Sequence, residues 1–363
     1  VAEDGQHPGP ADVGHRVAAE KRLRDRETPL ARGHSAGEVV ECSEEREPEL
    51  FRAARVGLGC LGVITRVRLR LQPRYTLSMA MRREKLAGVL GEMEQRLHSR
   101  HFEFWYWPNT GIVSTRTTEV TDAASTQSPV RRFLQGLVVE NAGLWIVNSI
   151  AKSVPPSADA ISRLQATLTP TGERVDRPYR LLATPRLVKL LETEYSVPAE
   201  AGPDCLREIK AWIDRSHVPI SFPIEYRYVA AEDSFLSPYY GRASAMIDLQ
   251  QFKGMPYHEY FSAGEEIFRR YDGRPHWGKL HSRTADELRP LYPEWDRFQE
   301  VRARLDPDGV FGNEYVDRVL GLPTATVERA GTGEIAARGT GDVAVMAATL
   351  RDAGPDLFVA AVQ

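Results

Sequence analysis

In the run Phe222-Pro-Ile-Glu225-Tyr-Arg227 a carboxylate and a guanidinium stand two residues apart. The segment from Phe222 to Val229 reads as a strand, and side chains at a spacing of two share one strand face. There the pair can hydrogen-bond adjacent hydroxyl groups, with Arg227 holding the Glu225 carboxylate ionised. Lys279, in Arg274-Pro-His276-Trp-Gly-Lys279-Leu-His281, adds a cation. It could polarise a reacting oxygen, or act as a base if burial lowers its pKa. The plain alternative is a solvent-facing strand whose ion pair is worth under about 1 kcal/mol.

Gly57, Gly59 and Gly62 satisfy the G-x-G-x-x-G pattern. A dinucleotide fingerprint needs a strand before the glycines, a helix after them, and an acid about 20 residues on. Here helical residues precede, a strand follows, and the acid is missing. The segment reads as a tight turn feeding a strand, or as backbone that passes close to a flat cofactor. His276 and His281 lie five apart with Gly278 between them, and the Gly273-Arg274-Pro275 turn separates both from Asp272. Helical zinc pairs use a spacing of four, so no metal is expected. The aromatic run Phe102, Phe104, Trp105, Tyr106 and Trp107 suits a core strand better than a stacking platform.

The elements that must position these groups belong to a 363-residue chain, long enough for two or three domains. A formal net charge of −3 argues against nucleic-acid binding. Cys42, Cys60 and Cys205 lie far apart, which fits neither a disulfide framework nor a zinc cluster and suggests a reducing, cytoplasmic setting. No secretory h-region is visible. The apolar window Leu134–Ala151 carries Glu140, Asn141 and Asn148 and reads as a buried helix, not a membrane span. Peripheral membrane contact stays open.

Residues 1–37 show no periodicity and are expected to be irregular, and residues 323–363 read as an appended tail. A short strand is expected at Gly37–Cys42, helical turns at Glu49–Arg55, and a half-buried strand over Val63–Leu71. Helical spacing follows over Lys85–His101, then a strand over Phe102–Trp107, a polar loop over 118–130 and a helix over 131–153. Farther on, Ile161–Leu168, Cys205–Ser216, Tyr257–Tyr271 and Trp295–Leu305 read as helices, and Phe222–Val229 and Ala243–Gln250 as strands.

The stretch from Leu50 through Val56-Gly57-Leu58-Gly59-Cys60-Leu61-Gly62-Val63-Ile64 to Thr65 resembles the end of the FAD-binding domain in the vanillyl-alcohol oxidase superfamily. The Glu225 and Lys279 segments narrow the resemblance, together with Leu236-Ser-Pro-Tyr-Tyr-Gly241-Arg242 and Leu305-Asp-Pro-Asp-Gly309-Val-Phe-Gly-Asn313-Glu-Tyr315. These are similar to the aldonolactone oxidoreductases, the D-arabinono-1,4-lactone oxidase and L-gulonolactone oxidase group, over about residues 38 to 322.

The resemblance implies an α+β fold. Residues 38–75 would be a C-terminal remnant of a PCMH-type FAD-binding domain, and 76–322 an antiparallel-sheet substrate domain with flanking helices. It implies FAD as cofactor, with Gly57, Gly59, Gly62, Val63, Ile64 and His276 beside the flavin. It places Glu225, Arg227 and Lys279 at a sugar-lactone or polyol site, where a ring hydroxyl is oxidised by hydride transfer to flavin. Oxygen or another acceptor would then reoxidise the flavin.

Asn313 and Tyr315 are expected to satisfy backbone groups as the chain returns to the flavin domain. Alditol oxidases carry a threonine near Gln250, and the run Ile247-Asp-Leu-Gln250-Gln251 favours the lactone branch. In the family the FAD domain begins well over a hundred residues before the glycine segment, with a pyrophosphate loop. Gly33-His34-Ser35 mimics that loop but lies too close to the glycines to be it. The expectation is therefore a chain lacking most of the FAD-binding domain, with an inactive, lactone-binding fragment as one alternative and an alditol oxidase as another.

Overall fold

In the computed structural model, residues 30–33, 39–69, 71–126, 141–183 and 187–322 are described. Strands β1 (Leu30–Gly33), β2 (Val39–Cys42) and β3 (Val63–Val67) form a small antiparallel sheet in the order β2-β1-β3. Eight more strands follow: β4 (Thr76–Lys85), β5 (His101–Trp107), β6 (Ile112–Thr121), β7 (Gly172–Asp176), β8 (Leu190–Pro198), β9 (Ile224–Val229), β10 (Ser244–Phe252) and β11 (Arg274–Pro275). They make one sheet in the order β11-β8-β10-β9-β5-β6-β4-β7, antiparallel throughout.

The centre of that sheet is built from strict alternation. Tyr195 and Val197 of β8, Ile224 and Tyr226 of β9, Ala245, Ile247 and Leu249 of β10, and Phe104 and Tyr106 of β5 point to one side. There they meet helices α1 (Gly202–Arg215) and α2 (His258–Arg270). Cys205, Leu206, Ile209 and Ile213 form the stripe that α1 lays on the sheet, at the spacing an amphipathic helix requires. Aromatic stacking reinforces the layer, with ring centroids 4.7 Å apart for both Phe104–Tyr226 and Tyr195–Phe268.

Gly202 opens α1 where the helix meets the sheet, and a Cβ there would collide with the Tyr226 hydroxyl and Ala245 Cβ. Gly202→Ala is therefore expected to cost about 1–3 kcal/mol through overpacking. A denaturation midpoint unchanged from wild type would contradict this close approach.

A second core joins the helix Pro48–Arg55 and the glycine turn to the C-terminal helices Trp295–Leu305 and Glu314–Leu320. Leu50, Phe51, Cys60, Leu61, Leu236 and Trp277 meet in it, so the loop after β11 is anchored from below by Trp277.

The structure corrects several expectations. Val63–Leu71 is a strand only to Val67, and every side chain of β3 is exposed, as are Leu69 and Leu71. The strand pairs with β1, and among the described residues no second layer covers its apolar row, so alternation here marks no buried face. Helical spacing over Lys85–His101 resolves into two short helices, Leu86–Gly91 and Met93–Arg96, broken at Glu92 after Gly91. β6 continues to Thr121 through the start of the expected polar loop. Only Leu144–Ser153 of the expected 131–153 helix is described as α-helix, and residues 131–140, 323–363 and most of 1–37 lie outside the described residues. No helix among the described residues is long and apolar enough to cross a membrane.

Candidate active site on the polar face of the sheet

Because one face of β8, β9 and β10 is apolar, the alternate residues must populate the other face, and they are strongly polar. Register sets them in rows. Trp105, Glu225, Asp248 and Glu194 lie opposite one another across β5, β9, β10 and β8. The next row holds Glu103, Arg227, Met246 and Ser196, and Gln250 pairs with Glu192 on the other side. Trp105 and Trp107 share this face while Phe102, Phe104 and Tyr106 enter the core, so the aromatic run divides between the two faces. The Arg116 guanidinium lies 4.0 Å above the Trp105 ring.

Lys279 reaches this face because its loop runs along β8. The His276 amide donates to the Glu194 carbonyl at 2.9 Å, and the Leu280 amide donates to the Glu192 carbonyl at 3.0 Å. Trp277 pins the loop by donating its indole N–H to the Leu236 carbonyl at 2.7 Å. The ammonium then lies 2.9 Å from Asp248 Oδ2, 3.0 Å from Glu194 Oε2 and 3.2 Å from Glu192 Oε2. The ammonium donates a hydrogen bond to Asp248 Oδ2 and forms ion pairs with Glu194 and Glu192. Arg227 Nη1 lies 3.4 Å from Glu225 Oε1 and its Nη2 3.9 Å from Glu194 Oε1. Gln250 ties the two groups together, donating to Asp248 Oδ2 at 2.9 Å and to Glu225 Oε2 at 3.4 Å.

The three residues singled out by sequence, Glu225, Arg227 and Lys279, are thus joined in one polar cluster. Burial draws the Lys279 ammonium down, but the carboxyls of Asp248, Glu194 and Glu192 outweigh it and raise it above its ordinary value. Lys279 is therefore held as a cation, and the lowered pKa on which a role as base was conditional is absent because of the charge of its neighbours. Burial likewise lowers Arg227, and Glu225 and Glu194 more than restore it. Burial pushes the Asp248 carboxyl well above the carboxylate range. Lys279 opposes that shift, while Glu194, Glu192 and Glu225 add to it.

Reasoning from sequence missed Glu192, Glu194 and Asp248. The signal was present in Leu190-Leu-Glu192-Thr-Glu194-Tyr-Ser196-Val, which alternates in polarity as a strand does. Tyr239, from the segment between β9 and β10, was also missed. Its phenol is raised by burial and by the Glu194 charge, lowered by Arg227, and hydrogen-bonded to the Ser196 side chain.

His276 accepts the Gly278 amide on Nδ1 at 3.0 Å, and its ring is partly exposed. His281 turns away to Tyr315, whose hydroxyl lies 3.1 Å from Nε2 and donates to the Trp277 carbonyl at 2.5 Å. Asn313 caps the last helix by accepting the Val316 amide at 3.0 Å. Burial, with the charges of Arg318 and Arg283, takes His281 down to about 4. A histidine depressed in the folded state contributes stability above its unfolded pKa and loses it as pH falls through the window from about 6.5 to about 4. His281→Asn is expected to remove roughly 2 kcal/mol of the wild-type stability loss between about pH 7 and about pH 5. Equal urea-midpoint shifts in the two proteins would sink this assignment.

The glycine turn has the helix Pro48–Arg55 before it and β3 after it. Leu58, Gly59 and Gly62 adopt positive φ of 48°, 77° and 117°. The space around Gly59 is open, whereas Gly57 and Gly62 are buried. Val63 and Ile64 are both exposed.

A family model described as D-arabinono-1,4-lactone oxidase matches residues 67–319. An L-gulono-1,4-lactone dehydrogenase of Mycobacterium tuberculosis is 41% identical over 288 residues, covering 79% of this chain and 67% of that protein. An L-gulonolactone oxidase of Scyliorhinus torazame is 31% identical, covering 79% of this chain and 66% of that protein. An alditol oxidase of Streptomyces is 26% identical, covering 74% and 62%. Among solved structures, a solvent-stable cholesterol oxidase is similar with a TM-score of 0.64 at 14% identity, covering 81% of this chain and 69% of that one, a likeness of fold alone. The chain spans about two thirds of the length of these curated relatives.

Proposed function

The chain belongs to the D-arabinono-1,4-lactone oxidase family, and on that footing we propose that it is the substrate-binding part of a flavin-linked oxidoreductase acting on a sugar 1,4-lactone of the D-arabinono or L-gulono type. Residues 76–322 would form the substrate domain and 38–75 the end of a flavin-binding domain. The observation that carries the reading is the convergence of Glu225, Arg227 and Lys279 on one sheet face, in a network that Gln250 bridges.

A polyhydroxylated neutral ring needs paired donors and acceptors in fixed geometry, and Glu225 with Arg227 provides one of each. Arg227 keeps 42% of its side chain exposed, so its guanidinium has donors free to reach a ring hydroxyl. Glu225 accepts the hydrogen bond of that hydroxyl and can take its proton. Arg227 then holds the negative charge developing on oxygen. Lys279, fully engaged by carboxyls, acts through its charge.

FAD would supply the acceptor for the hydride. The open backbone at Leu58–Gly59 and the partly exposed His276 suit the edge of a flat ring, with Val63 and Ile64 alongside. The glycine turn over residues 57–62 leads into β3 and not into a helix N-terminus, the usual pyrophosphate cradle, so its fit is to the ring end of the cofactor.

The test is a titration of the full chain with FAD, followed by anaerobic addition of L-gulono-1,4-lactone, D-arabinono-1,4-lactone or xylitol. Bleaching of the flavin by a lactone is expected. Bleaching by xylitol alone would move the chain to the alditol oxidases. Lactone binding without FAD retention would favour a binding-only fragment, and neither binding nor bleaching would remove the reading.

A further inference from the structure

Four carboxyl groups, Glu192, Glu194, Glu225 and Asp248, crowd two cations, Lys279 and Arg227, on the polar face of the sheet. Were all four ionised, the cluster would carry an excess of two negative charges in a largely buried place. Asp248 is at its centre, fully enclosed between β8 and β9, with Glu194 opposite on one side and Glu225 on the other. Its Oδ2 takes both the Gln250 amide and the Lys279 ammonium, while its Oδ1 is buried with no hydrogen-bond partner. A buried anionic oxygen with no donor costs far more than a buried O–H with no acceptor.

We propose that Asp248 is a positioning residue for the lactone reaction, and that it acts as the carboxylic acid: it fixes Lys279 and Gln250 beside Glu225 without adding a third negative charge around Lys279. The inference rests on the functional reading above. The groups that face Asp248 agree with it. Glu192 and Glu194 come from β8, Glu225 from β9, Gln250 from β10 itself and Lys279 from the loop after β11. The burial of Asp248 and the carboxyls around it favour the protonated form, and the Lys279 ammonium and the Gln250 amide oppose them. As an acid, Asp248 leaves Glu194 and Glu192 as the counter-charges of Lys279.

The test compares wild type with Asp248→Asn and Asp248→Ala in the full chain. Infrared difference spectra between wild type and Asp248→Asn at neutral pH should show a protonated carboxyl band that the variant lacks, and 13C-labelling of aspartate should shift it. Nitrogen NMR should show the slowly exchanging Lys279 ammonium retained in Asp248→Asn and lost in Asp248→Ala. By calorimetry, Asp248→Ala should weaken L-gulono-1,4-lactone binding about tenfold, with the asparagine recovering most of that loss. Absence of the carboxyl band, or an unchanged Lys279 signal in Asp248→Ala, would overturn the proposal. Wild type that binds no lactone would instead remove the functional reading, and the infrared band would still decide the state of Asp248.

Discussion

Replacing Lys279 by methionine is expected to destabilise the fold by about 3–5 kcal/mol, because three enclosed carboxyls would lose their common cation. The side chain is only 18% exposed and contacts Asp248, Glu194 and Glu192 together, so water cannot take over its role cheaply. The sign of the pH dependence follows. Carboxyls left without a cation in a dry place titrate higher in the folded than in the unfolded chain. Their contribution is then intact at acid pH and lost as pH rises. The gap between Lys279→Met and wild type should therefore be narrow near pH 5 and widen toward pH 8. Urea denaturation across that range reads it directly. A gap that stayed constant or closed with rising pH would mean that the three carboxyls do not lean on Lys279.

Arg227→Ala is expected to lower kcat/KM for a sugar lactone by about 10²–10³-fold in the flavin-loaded protein, the usual consequence of removing one donor that faces developing negative charge. Stability should change little, since the side chain is 42% exposed and its contacts to Glu225 and Glu194 are long, at 3.4 and 3.9 Å. Arg227→Lys should recover only part of the loss, because an ammonium cannot reproduce a planar fork across two neighbouring hydroxyls. If Arg227→Ala left kcat/KM within a factor of about two, the proposed contact with the ring hydroxyls would have to be withdrawn.

Strands with one apolar and one polar face were the most legible parts of this chain. Ile224, Tyr226 and Tyr228 alternate with Glu225 and Arg227, so the face shared by the acid and the guanidinium could be read from spacing, and the structure keeps it. The amphipathic helices Gly202–Arg215 and Trp295–Leu305 were equally plain. β8 was passed over because Glu, Thr and Ser dilute its strand propensity, and its acids resemble a solvated turn until a cation is placed above them. That cation comes from more than eighty residues away, along a loop path set by the Glu192 and Glu194 carbonyls, which no local pattern encodes. The state of Lys279, left open between a cation and a base, was undecided for a related reason. Burial alone argues for a lowered pKa, but the sign is set by neighbours that only the fold assembles. At β3 the fault lay with periodicity itself, which says that a strand has two faces without saying that anything covers one of them.

All nine residues of β10 are buried, with Ala245, Ile247 and Leu249 in the apolar layer and Asp248 and Gln250 in the ionic cluster on the other side. Sliding the strand by a single position would drive Asp248 and Gln250 among the rings of Tyr195 and Tyr226 and drop Ile247 and Leu249 among the acids. Neither side would tolerate the exchange, so the strand has one admissible alignment, enforced from above and below at once. Groups carried on such a strand inherit their mutual spacing from the backbone ladder itself.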